Sequence, residues 1–426
     1  MDTKISVVEQ GAIYRAGALF VEAFGHTQAL LVSDANTLGI GGFALIQSLE
    51  QQGIEVRQCC FAALPQVYAD EFSIERVRLS LSQDASIAVV LGSGSLNDIT
   101  KRASYEVDRP YMVVATAPSV DGYTSYGAAV SIKGFKQTLP CNAPTSVVAD
   151  TTILCSSPMP MIASGFGDCM AKFTAGADWI VADELGLHPM RQDIWKMVQI
   201  PLRQVYAAHK DIANRDPRSV GLLFDALSAS GFAMQVMHDS RPASGAEHLV
   251  SHLWEMEHLQ KDGLPVSHGF KVAVGTLAMS FLYERLVRMD FSSIMERPSE
   301  SWEERRENIE KVFSFSPIIL EQVLPIAKVK FLEGDALKTR RKAILIALPK
   351  ILRRCSVQLP PYGELRQAMK EVGCPISYAD INTTKEDFFR AIRGAQMIRN
   401  RYTILDLLYE AGFLEEMLLA FDQGVF

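Results

Sequence analysis

The first 157 residues alternate short apolar runs with amphipathic stretches, and the apolar runs are rich in β-branched residues. Strands that alternate with helices predict a parallel sheet with helices packed on both of its faces. Each run ends in a polar or glycine-containing turn, which is typical of buried strands in such sheets. The predicted strands lie in QALLVSDANT, IEVRQCCF, SIAVVLG, YMVVATAPS and SVVADTTIL, and predicted helices lie in GFALIQSLEQQG and SLNDITKRAS.

From the segment SPMPMIASGFGDCMAKF onward the strand patterns fade, and long amphipathic stretches such as WEERRENIEKVF follow. Apolar residues at helical spacing predict helices throughout this part of the chain. Pro158 and Pro160 mark the change. The expected fold class is therefore an α/β N-terminal domain with a Rossmann-like parallel sheet (residues 1–157), followed by an all-α C-terminal domain (residues 158–426).

Composition and charge narrow the functional classes. A chain of 426 residues is longer than one hydrophobic core usually organises, which agrees with two domains. Its formal net charge of −7 argues against a general nucleic-acid binder, so no nucleic-acid partner is expected. One basic stretch, from Lys328 to Arg354, is interpreted as the solvated face of helices.

Cysteine usage and hydropathy point to the cytoplasm. The seven cysteines are an odd number without CxxC pairs, which favours free thiols in a reducing compartment. The N-terminal segment has no long apolar stretch of the kind found in secretory signals. The longest apolar runs are shorter than the roughly 20 residues that a membrane span needs, so no span is expected.

Three predicted strand ends carry side chains suited to a nucleotide. Gly92 and Gly94 follow an apolar run and precede a helix, a pattern in which backbone N–H groups approach a phosphate. Asp34 ends the strand LLVSD, where a carboxylate can bind an adenosine ribose. A third loop surrounds Asp121 with hydroxyls. The alternatives are a glycine kept for steric reasons and an Asx-turn or helix cap at Asp34.

Four of the eight histidines lie within 21 residues, at positions 248, 252, 258 and 268. His248 and His252 are four apart, which places two imidazoles on one helix face, and His268 precedes a glycine at the start of another apolar helix. Asp168 follows two glycines at a predicted helix start. One carboxylate and two imidazoles would leave an open position on a catalytic metal. The alternatives are a polar helix face for the histidines and a helix cap for Asp168.

Taken together, these segments resemble the iron-containing or polyol dehydrogenase superfamily, which also holds glycerol dehydrogenase and dehydroquinate synthase. Within it, GFKQTLP, GFGDCMAKFTAGADW and SRPASGAEHLVSH are most similar to the bacterial sn-glycerol-1-phosphate dehydrogenases. The resemblance runs from about residue 5 to the segment RYTILDLLYEAGFLEE. Ser93 departs from the Gly-Gly-Gly that is more common at the glycine turn.

The resemblance implies a role for each matching residue. Asp168, His248 and His268 match metal ligands, and the metal would be zinc or nickel, with iron a third option. Asp121 and His252 would lie near the substrate, and His258 would be a solvated helix residue. The substrate phosphate needs a nearby cation, and the candidates near these motifs are Lys133, Lys136, Lys172 and Arg241, of which Lys172 is assigned to the substrate site. Contacts to NAD(H) or NADP(H) are implied for Asp34, Gly92, Gly94, Ser95, Asp98, Thr116, Ser119 and Ser125.

The implied reaction is the reduction of dihydroxyacetone phosphate to sn-glycerol 1-phosphate with NAD(P)H, and its reverse. Two other activities stay open: a glycerol or polyol dehydrogenase acting on an unphosphorylated substrate, and a cyclase of the dehydroquinate synthase type. A binding protein that kept the fold and lost catalysis is a further alternative, which the intact Asp168, His248 and His268 oppose. A homodimer is expected from the frequency of two-fold oligomers.

Overall fold

The computed structural model describes residues 1–132 and 135–423. Its central element is a six-stranded parallel sheet in the strand order β1-β8-β5-β4-β2-β3. An antiparallel hairpin, β6–β7, lies in the same part of the chain. The strands are β1 (Ile5–Glu9), β2 (Ala29–Asp34), β3 (Val56–Phe61), β4 (Ile87–Gly92), β5 (Tyr111–Ala115), β6 (Ala128–Ile132), β7 (Phe135–Leu139) and β8 (Ser146–Asp150).

Both faces of the sheet are covered by apolar side chains. Successive residues of a strand point to opposite faces, and in β2 this sends Leu30 and Val32 into one core and Ala29 and Leu31 into another. All four side chains are fully buried. The continuous apolar runs of the central strands therefore reflect burial on two sides, and the predicted parallel sheet with helices on both faces is confirmed.

Apart from these strands, the regular secondary structure of the described residues is helical, with one exception. The exception is a short antiparallel hairpin of two strands with two residues each, β9 (Gln260–Lys261) and β10 (Leu264–Pro265). The N-terminal helices are α1 (Ala16–Phe24), α2 (Ala35–Thr37), α3 (Phe43–Glu50), α4 (Glu71–Leu81), α5 (Gly94–Glu106) and α6 (Thr151–Ser156). They are followed by α7 (Met159–Glu184), α8 (Gln192–Ala207), α9 (His209–Ala213), α10 (Pro217–Met237), α11 (Ala246–Met256), α12 (His268–Leu286), α13 (Trp302–Val312), α14 (Pro317–Lys330), α15 (Gly334–Gln358), α16 (Tyr362–Val372), α17 (Lys385–Ala395), α18 (Ile404–Ala411) and α19 (Leu414–Leu419).

The predicted boundaries of two elements were wrong. The segment SVVADTTIL is not a single strand, because β8 ends at Asp150, whose carboxylate accepts a hydrogen bond from the Thr152 N–H and starts α6. Asp168 does not begin a helix, since it lies in the middle of the 26-residue helix α7. The two glycines before it had indicated a helix start, but Gly165 serves a close packing contact: a Cβ there would lie 1.6 Å from the Pro118 carbonyl oxygen.

The chain divides into two compact units, and both are discontinuous in sequence. The first unit comprises Met1–Cys169, Ile200–Ser240 and Glu371–Gly373; the second comprises Met170–Gln199, Arg241–Lys370 and Cys374–Phe426. In the first unit α10 packs against α6 and β1, which explains why a helix far along the chain belongs with the sheet. The domain boundary expected between residues 157 and 158 stays a prediction.

One helix, α10, is long and apolar enough to cross a membrane by length and composition. Of its most apolar window, 67% is buried inside the protein, and core helices of that length pass the same test.

Candidate active site

The candidate nucleotide residues lie together at the carboxyl edge of the sheet. Asp34 ends β2, Gly92 ends β4, and Thr116 directly follows β5, and these three strands are adjacent. The Thr116 N–H donates a hydrogen bond of 3.1 Å to the Gly92 carbonyl oxygen, which joins the two strand ends. Ligands of open parallel sheets bind at this edge, so the geometry fits the predicted cofactor residues.

The glycine turn has both a steric and a binding interpretation. A Cβ at Gly92 would lie 2.6 Å from the Leu96 side chain in the first turn of α5, so packing alone accounts for this glycine. Gly94 begins α5, and Ser95 and Asp98 follow within the first two turns, half-buried. The first N–H groups of a helix lack partners within the helix and attract anions. The phosphate contact therefore stays a prediction, whereas the packing against Leu96 already explains why residue 92 is a glycine.

Asp34 caps a helix in the structure. One of its carboxylate oxygens, Oδ1, accepts a hydrogen bond of 2.8 Å from the Thr37 N–H, and the Thr37 hydroxyl accepts one from the Asp34 N–H. The cap proposed as the alternative interpretation is thus present, and the ribose contact stays a prediction.

The hydroxyl-rich loop after β5 is held in place by a lysine that the sequence analysis did not single out. The Lys101 ammonium in α5 donates to the carbonyl oxygens of Gly122, Ser125 and Gly127, at 2.7, 2.9 and 3.1 Å. The side chain is fully buried, and that burial lowers its pKa. Since an ammonium has three protons, all of them are used in shaping this loop.

Ser119 and Ser125 are mostly buried on this loop, and the Ser125 hydroxyl donates to the Gly122 carbonyl oxygen. Asp121 opens a short 3₁₀ turn, and its N–H donates a hydrogen bond of 2.9 Å to Oδ2 of Asp168. The loop that carries Asp121 therefore contacts the candidate metal ligand directly.

Asp168, His248 and His268 come together, and one potential ligand atom from each lies within 4.8 Å of the others. Asp168 projects from α7, His248 is the third residue of α11, and His268 is the first residue of α12. The first two are buried and the third is partly exposed. Separations of this size allow one ion to contact all three groups after small side-chain movements. The set of residue types and the geometry fit a catalytic divalent metal.

The Nδ1 atom of each candidate imidazole ligand lies within hydrogen-bond distance of a carboxylate. His248 Nδ1 is 2.8 Å from Glu247, and His268 Nδ1 is 2.8 Å from Glu255. A carboxylate accepts a hydrogen bond from Nδ1–H and leaves Nε2 of a neutral ring as the lone-pair donor, an arrangement common around metal-binding histidines. These glutamates were missed, although a glutamate next to His248 and another three residues after His252 were visible in EHLVSHLWEME.

The start of α11 is anchored by two buried carboxylates. Asp178 accepts a hydrogen bond from the Ala246 N–H (2.7 Å), and Glu247 accepts one from the Gly245 N–H (2.6 Å). Glu247 also accepts one from the Thr174 hydroxyl (2.8 Å). Carboxylates at a helix N-terminus stabilise the helix dipole. Because His248 lies in this first turn, its backbone position is well defined.

The other predicted substrate residues differ in environment. His252 lies beside the cluster, its ring centre 6.4 Å from both His248 and His268. Its pKa is lowered by burial, so the ring is neutral at pH 7. Lys172 is fully buried one helical turn after Asp168, and Arg241 is also buried. His258 is exposed, as expected, but it lies beyond the end of α11 with a φ of 54°. Lys133 lies outside the described residues, and the side chain of Lys136 is likewise not described.

Comparison with known proteins gives the family. Residues 7–158 match the family model described as iron-containing alcohol dehydrogenase. A glycerol-1-phosphate dehydrogenase (NAD(P)+) of Geobacillus stearothermophilus is 32% identical over 393 residues, which cover 92% of this chain and 88% of the relative. The relative of the same name from Bacillus subtilis (strain 168) is 34% identical, covering 92% and 87%. The chain belongs to the glycerol-1-phosphate dehydrogenase family.

Solved structures agree at the level of the fold. A probable glycerol dehydrogenase from Sinorhizobium meliloti 1021 superposes with a TM-score of 0.62 at 16% identity, covering 99% of this chain and 96% of that one. An NADH-dependent butanol dehydrogenase A from Thermotoga maritima gives a TM-score of 0.60 at 15% identity, covering 97% and 96%. The expected fold class and the resemblance stated from the sequence are both confirmed, and the chain is an enzyme of the glycerol-1-phosphate dehydrogenase family.

Proposed function

We propose that the chain is a metal-dependent oxidoreductase that reduces dihydroxyacetone phosphate to sn-glycerol 1-phosphate with NAD(P)H, and catalyses the reverse reaction. The observation that carries this proposal is the group of Asp168, His248 and His268, with potential ligand atoms within 4.8 Å of one another, in a chain whose relatives carry that enzyme name. When bound, the cofactor supplies the hydride, and the divalent ion supplies a Lewis acid for the carbonyl oxygen.

The protein's own residues bind and orient these groups. Asp168, His248 and His268 hold the ion, and the imidazole and carboxylate ligands suit zinc, nickel or iron. Gly92 and Gly94 leave room for the cofactor pyrophosphate at the N-terminus of α5. The remaining cofactor contacts come from Asp34, Ser95, Asp98, Thr116, Ser119 and Ser125.

Three residues act on the substrate. Asp121 lies next to Asp168 and accepts hydrogen bonds from the substrate hydroxyl groups. His252, neutral at pH 7 and mostly buried beside the metal ligands, exchanges the proton that accompanies carbonyl reduction. Lys172, one turn beyond Asp168, is the candidate cation for the substrate phosphate, where a charge-assisted hydrogen bond is strong because water is excluded.

The decisive experiment compares two ketones. NADH oxidation is measured with dihydroxyacetone phosphate and with dihydroxyacetone, before and after chelation and after metal is restored. Two charge-assisted bonds to the phosphate, at roughly 1.5–3 kcal/mol each, give at least a 10²-fold preference in kcat/KM for the phosphorylated ketone. Activity is expected to disappear on chelation and return with zinc, nickel or iron.

Comparable kcat/KM for the two ketones would reassign the chain to a glycerol dehydrogenase, and no net NADH oxidation with either ketone would favour a cyclase. Metal analysis of the purified enzyme identifies the ion. The homodimer and the cytoplasmic location stay predictions. Light scattering on the purified protein measures its molar mass and so tests the homodimer.

A further inference from the structure

One buried carboxylate, Glu255, contacts the nitrogen-bearing side chains of His252, His268 and Lys271. Its Oε1 atom lies 2.8 Å from Nδ1 of His268 and 3.4 Å from the Lys271 ammonium, and its Oε2 atom lies 3.3 Å from Nδ1 of His252. The Glu255 side chain is 7% exposed. A buried charge is tolerated only when it is paired and hydrogen-bonded, and here both oxygens are engaged.

We propose that Glu255 is a positioning residue that orients the metal-ligand candidate His268 and the substrate-site candidate His252 together, with Lys271 holding Glu255 itself. This inference rests on the proposed metal site. Glu255 acts through the two imidazoles and contacts neither substrate nor cofactor in this role.

The effect on His268 follows from tautomer chemistry. A carboxylate accepts a hydrogen bond from Nδ1–H, so the neutral ring keeps its lone pair on Nε2, the nitrogen that can then bind a metal. In the variant Glu255→Gln the side-chain amide can donate to Nδ1 instead. That donation would place the ring proton on Nε2, the tautomer that cannot ligate through this nitrogen.

Glu255 also affects His252, because the same carboxylate contacts both His252 and His268. The two oxygens of one carboxylate lie in one plane at a fixed separation, so the orientations of the two imidazoles depend on the same side chain. Lys271 lies three residues after His268 on α12, on the same helix face, and its ammonium offsets the charge of Glu255. The ion pair thereby joins α11 to α12 beside both rings.

Glu247 provides a matched comparison. Glu247 accepts a hydrogen bond from His248 Nδ1–H and is fully buried, but its other hydrogen bonds come from the Thr174 hydroxyl and the Gly245 N–H. It has no bond to His252. Loss of the Glu247 charge is therefore expected to weaken metal binding only. Loss of the Glu255 charge is expected to weaken metal binding and also to lower kcat when the metal is saturating.

The experiment measures the affinity of the full-length protein for Zn²⁺ by competition with a chromophoric chelator, and separately kcat with saturating metal. Loss of a carboxylate partner of this kind typically weakens metal binding 10–100-fold. We expect this for Glu255→Gln and Glu247→Gln, with a kcat reduced at least 10-fold at saturating metal only for Glu255→Gln. The visible spectrum of the Co²⁺-loaded protein is expected to change for both.

Glu257→Gln is the control, because Glu257 directly follows α11 and its carboxylate pairs with Arg390. Its Zn²⁺ affinity and kcat should stay within twofold of the wild type. If Glu255→Gln does not fold, Glu255→Asp keeps the charge but withdraws the carboxylate by one methylene, and is expected to weaken Zn²⁺ binding at least threefold.

His268→Ala separates the two proposals. If it leaves Zn²⁺ affinity unchanged, the metal site itself is wrong, and the role of Glu255 fails with it. If His268→Ala abolishes binding while the folded Glu255 variant binds Zn²⁺ and turns over like the wild type, the positioning role alone is overturned. A folded Glu255→Gln with weakened Zn²⁺ binding and normal kcat at saturating metal overturns the shared control of His252.

Discussion

Asp34 has two carboxylate oxygens, and one of them already caps a helix. Oδ1 accepts the hydrogen bond from the Thr37 N–H, while Oδ2 has no hydrogen-bond partner among the described residues. A cap and a ribose contact therefore do not exclude each other, since they need different oxygens. The two roles can be separated by substitution, because serine retains a capping oxygen and loses the charge.

The cofactor prediction uses that difference. The wild type is expected to prefer NADH over NADPH by tenfold or more, since a 2′-phosphate would face the Asp34 carboxylate, and no arginine follows in DANTLGIGG to neutralise it. Asp34→Ser and Asp34→Gly should both narrow the preference, and only the glycine variant loses the cap. The measurement is kcat/KM with each cofactor. A preference that survives unchanged in Asp34→Ser would restrict Asp34 to capping.

Two substitutions test the metal ligands separately from folding. His268→Ala removes an imidazole from the first residue of α12, and Asp168→Asn removes a charge while its amide oxygen can still accept the Asp121 N–H. Both variants should fold, bind less metal and lose most activity, as checked by circular dichroism, elemental analysis and turnover. Near-normal turnover of His268→Ala in metal-free buffer is incompatible with the proposed mechanism.

Among elements, α7 packs unusually closely against the loop after β5. Ser164 donates to the Ser119 carbonyl oxygen, Asp168 accepts from the Asp121 N–H, and Gly165 lies between them on the same helix face. This face brings the helix backbone against Pro118. The glycine in SGFGD is thus part of how the helix positions the loop, and helix propensity alone does not explain it.

Gly165→Ala is therefore expected to destabilise the protein. A change from glycine to alanine inside a helix normally gains up to about 1 kcal/mol, but here the new Cβ would lie 1.6 Å from the Pro118 carbonyl oxygen. Overpacking of this kind costs about 1–3 kcal/mol. The control is Gly363→Ala in α16, where nothing lies within 4 Å of the new Cβ, and a neutral or stabilising effect is expected. Urea midpoints compare the two; a stabilised Gly165→Ala would contradict the packing argument.

The basic stretch in α14 and α15 is only partly a solvated helix face. Lys330 is buried against Asp406 at 2.6 Å, and Arg341 is buried and donates to backbone carbonyl oxygens. The interpretation as a solvated face is wrong for these two residues. Arg340 also pairs with Glu410 at 3.1 Å. Several of these cations therefore connect helices within the second unit.

At the scale of the whole molecule, the elements that the sequence predicted best are those whose pattern is local. The strands β2, β4 and β5 are continuous apolar runs followed by turns. Each run by itself predicts a strand that is buried on both faces, and the turn that follows it marks the carboxyl edge of the sheet, where ligands bind. The strand β1 was missed because its five residues alternate weakly, and its partner β8 lies about 140 residues away. A local pattern carries no information on such a pairing.

In the candidate site, too, the sequence predicted residues that belong to motifs and missed residues whose role depends on contacts in the folded protein. Motif residues such as His248 and His268 were predicted, and the structure brings them together with Asp168. Glu247, Glu255 and Lys101 were not selected, because a glutamate or lysine on a helix is ordinarily a surface residue. Only three-dimensional packing reveals that these three are buried and bonded to site elements.

Stability of the second unit should depend on pH through Glu410. This carboxyl is 7% exposed, and its burial, partly offset by Arg340, raises its pKa to about 7. Arg340 lies 3.1 Å from both oxygens, and the Tyr402 hydroxyl donates to one of them at 2.5 Å. An unfolded glutamate titrates near about 4.3. The folded state therefore binds this proton more tightly than the unfolded state does.

The sign of the effect follows from proton linkage. Between about pH 4.3 and pH 7 the folded state holds more protons at Glu410, so the free energy of unfolding falls as pH rises through this window, by roughly 4 kcal/mol at most. Glu410→Gln cannot titrate, so the urea midpoint of the wild type relative to this variant should decrease from pH 5 to pH 8 and then level off. Glu303→Gln, on the exposed face of α13, controls for the loss of one negative charge. If the wild-type and Glu410→Gln midpoints run parallel across this range, ionisation of Glu410 is not what couples folding to pH.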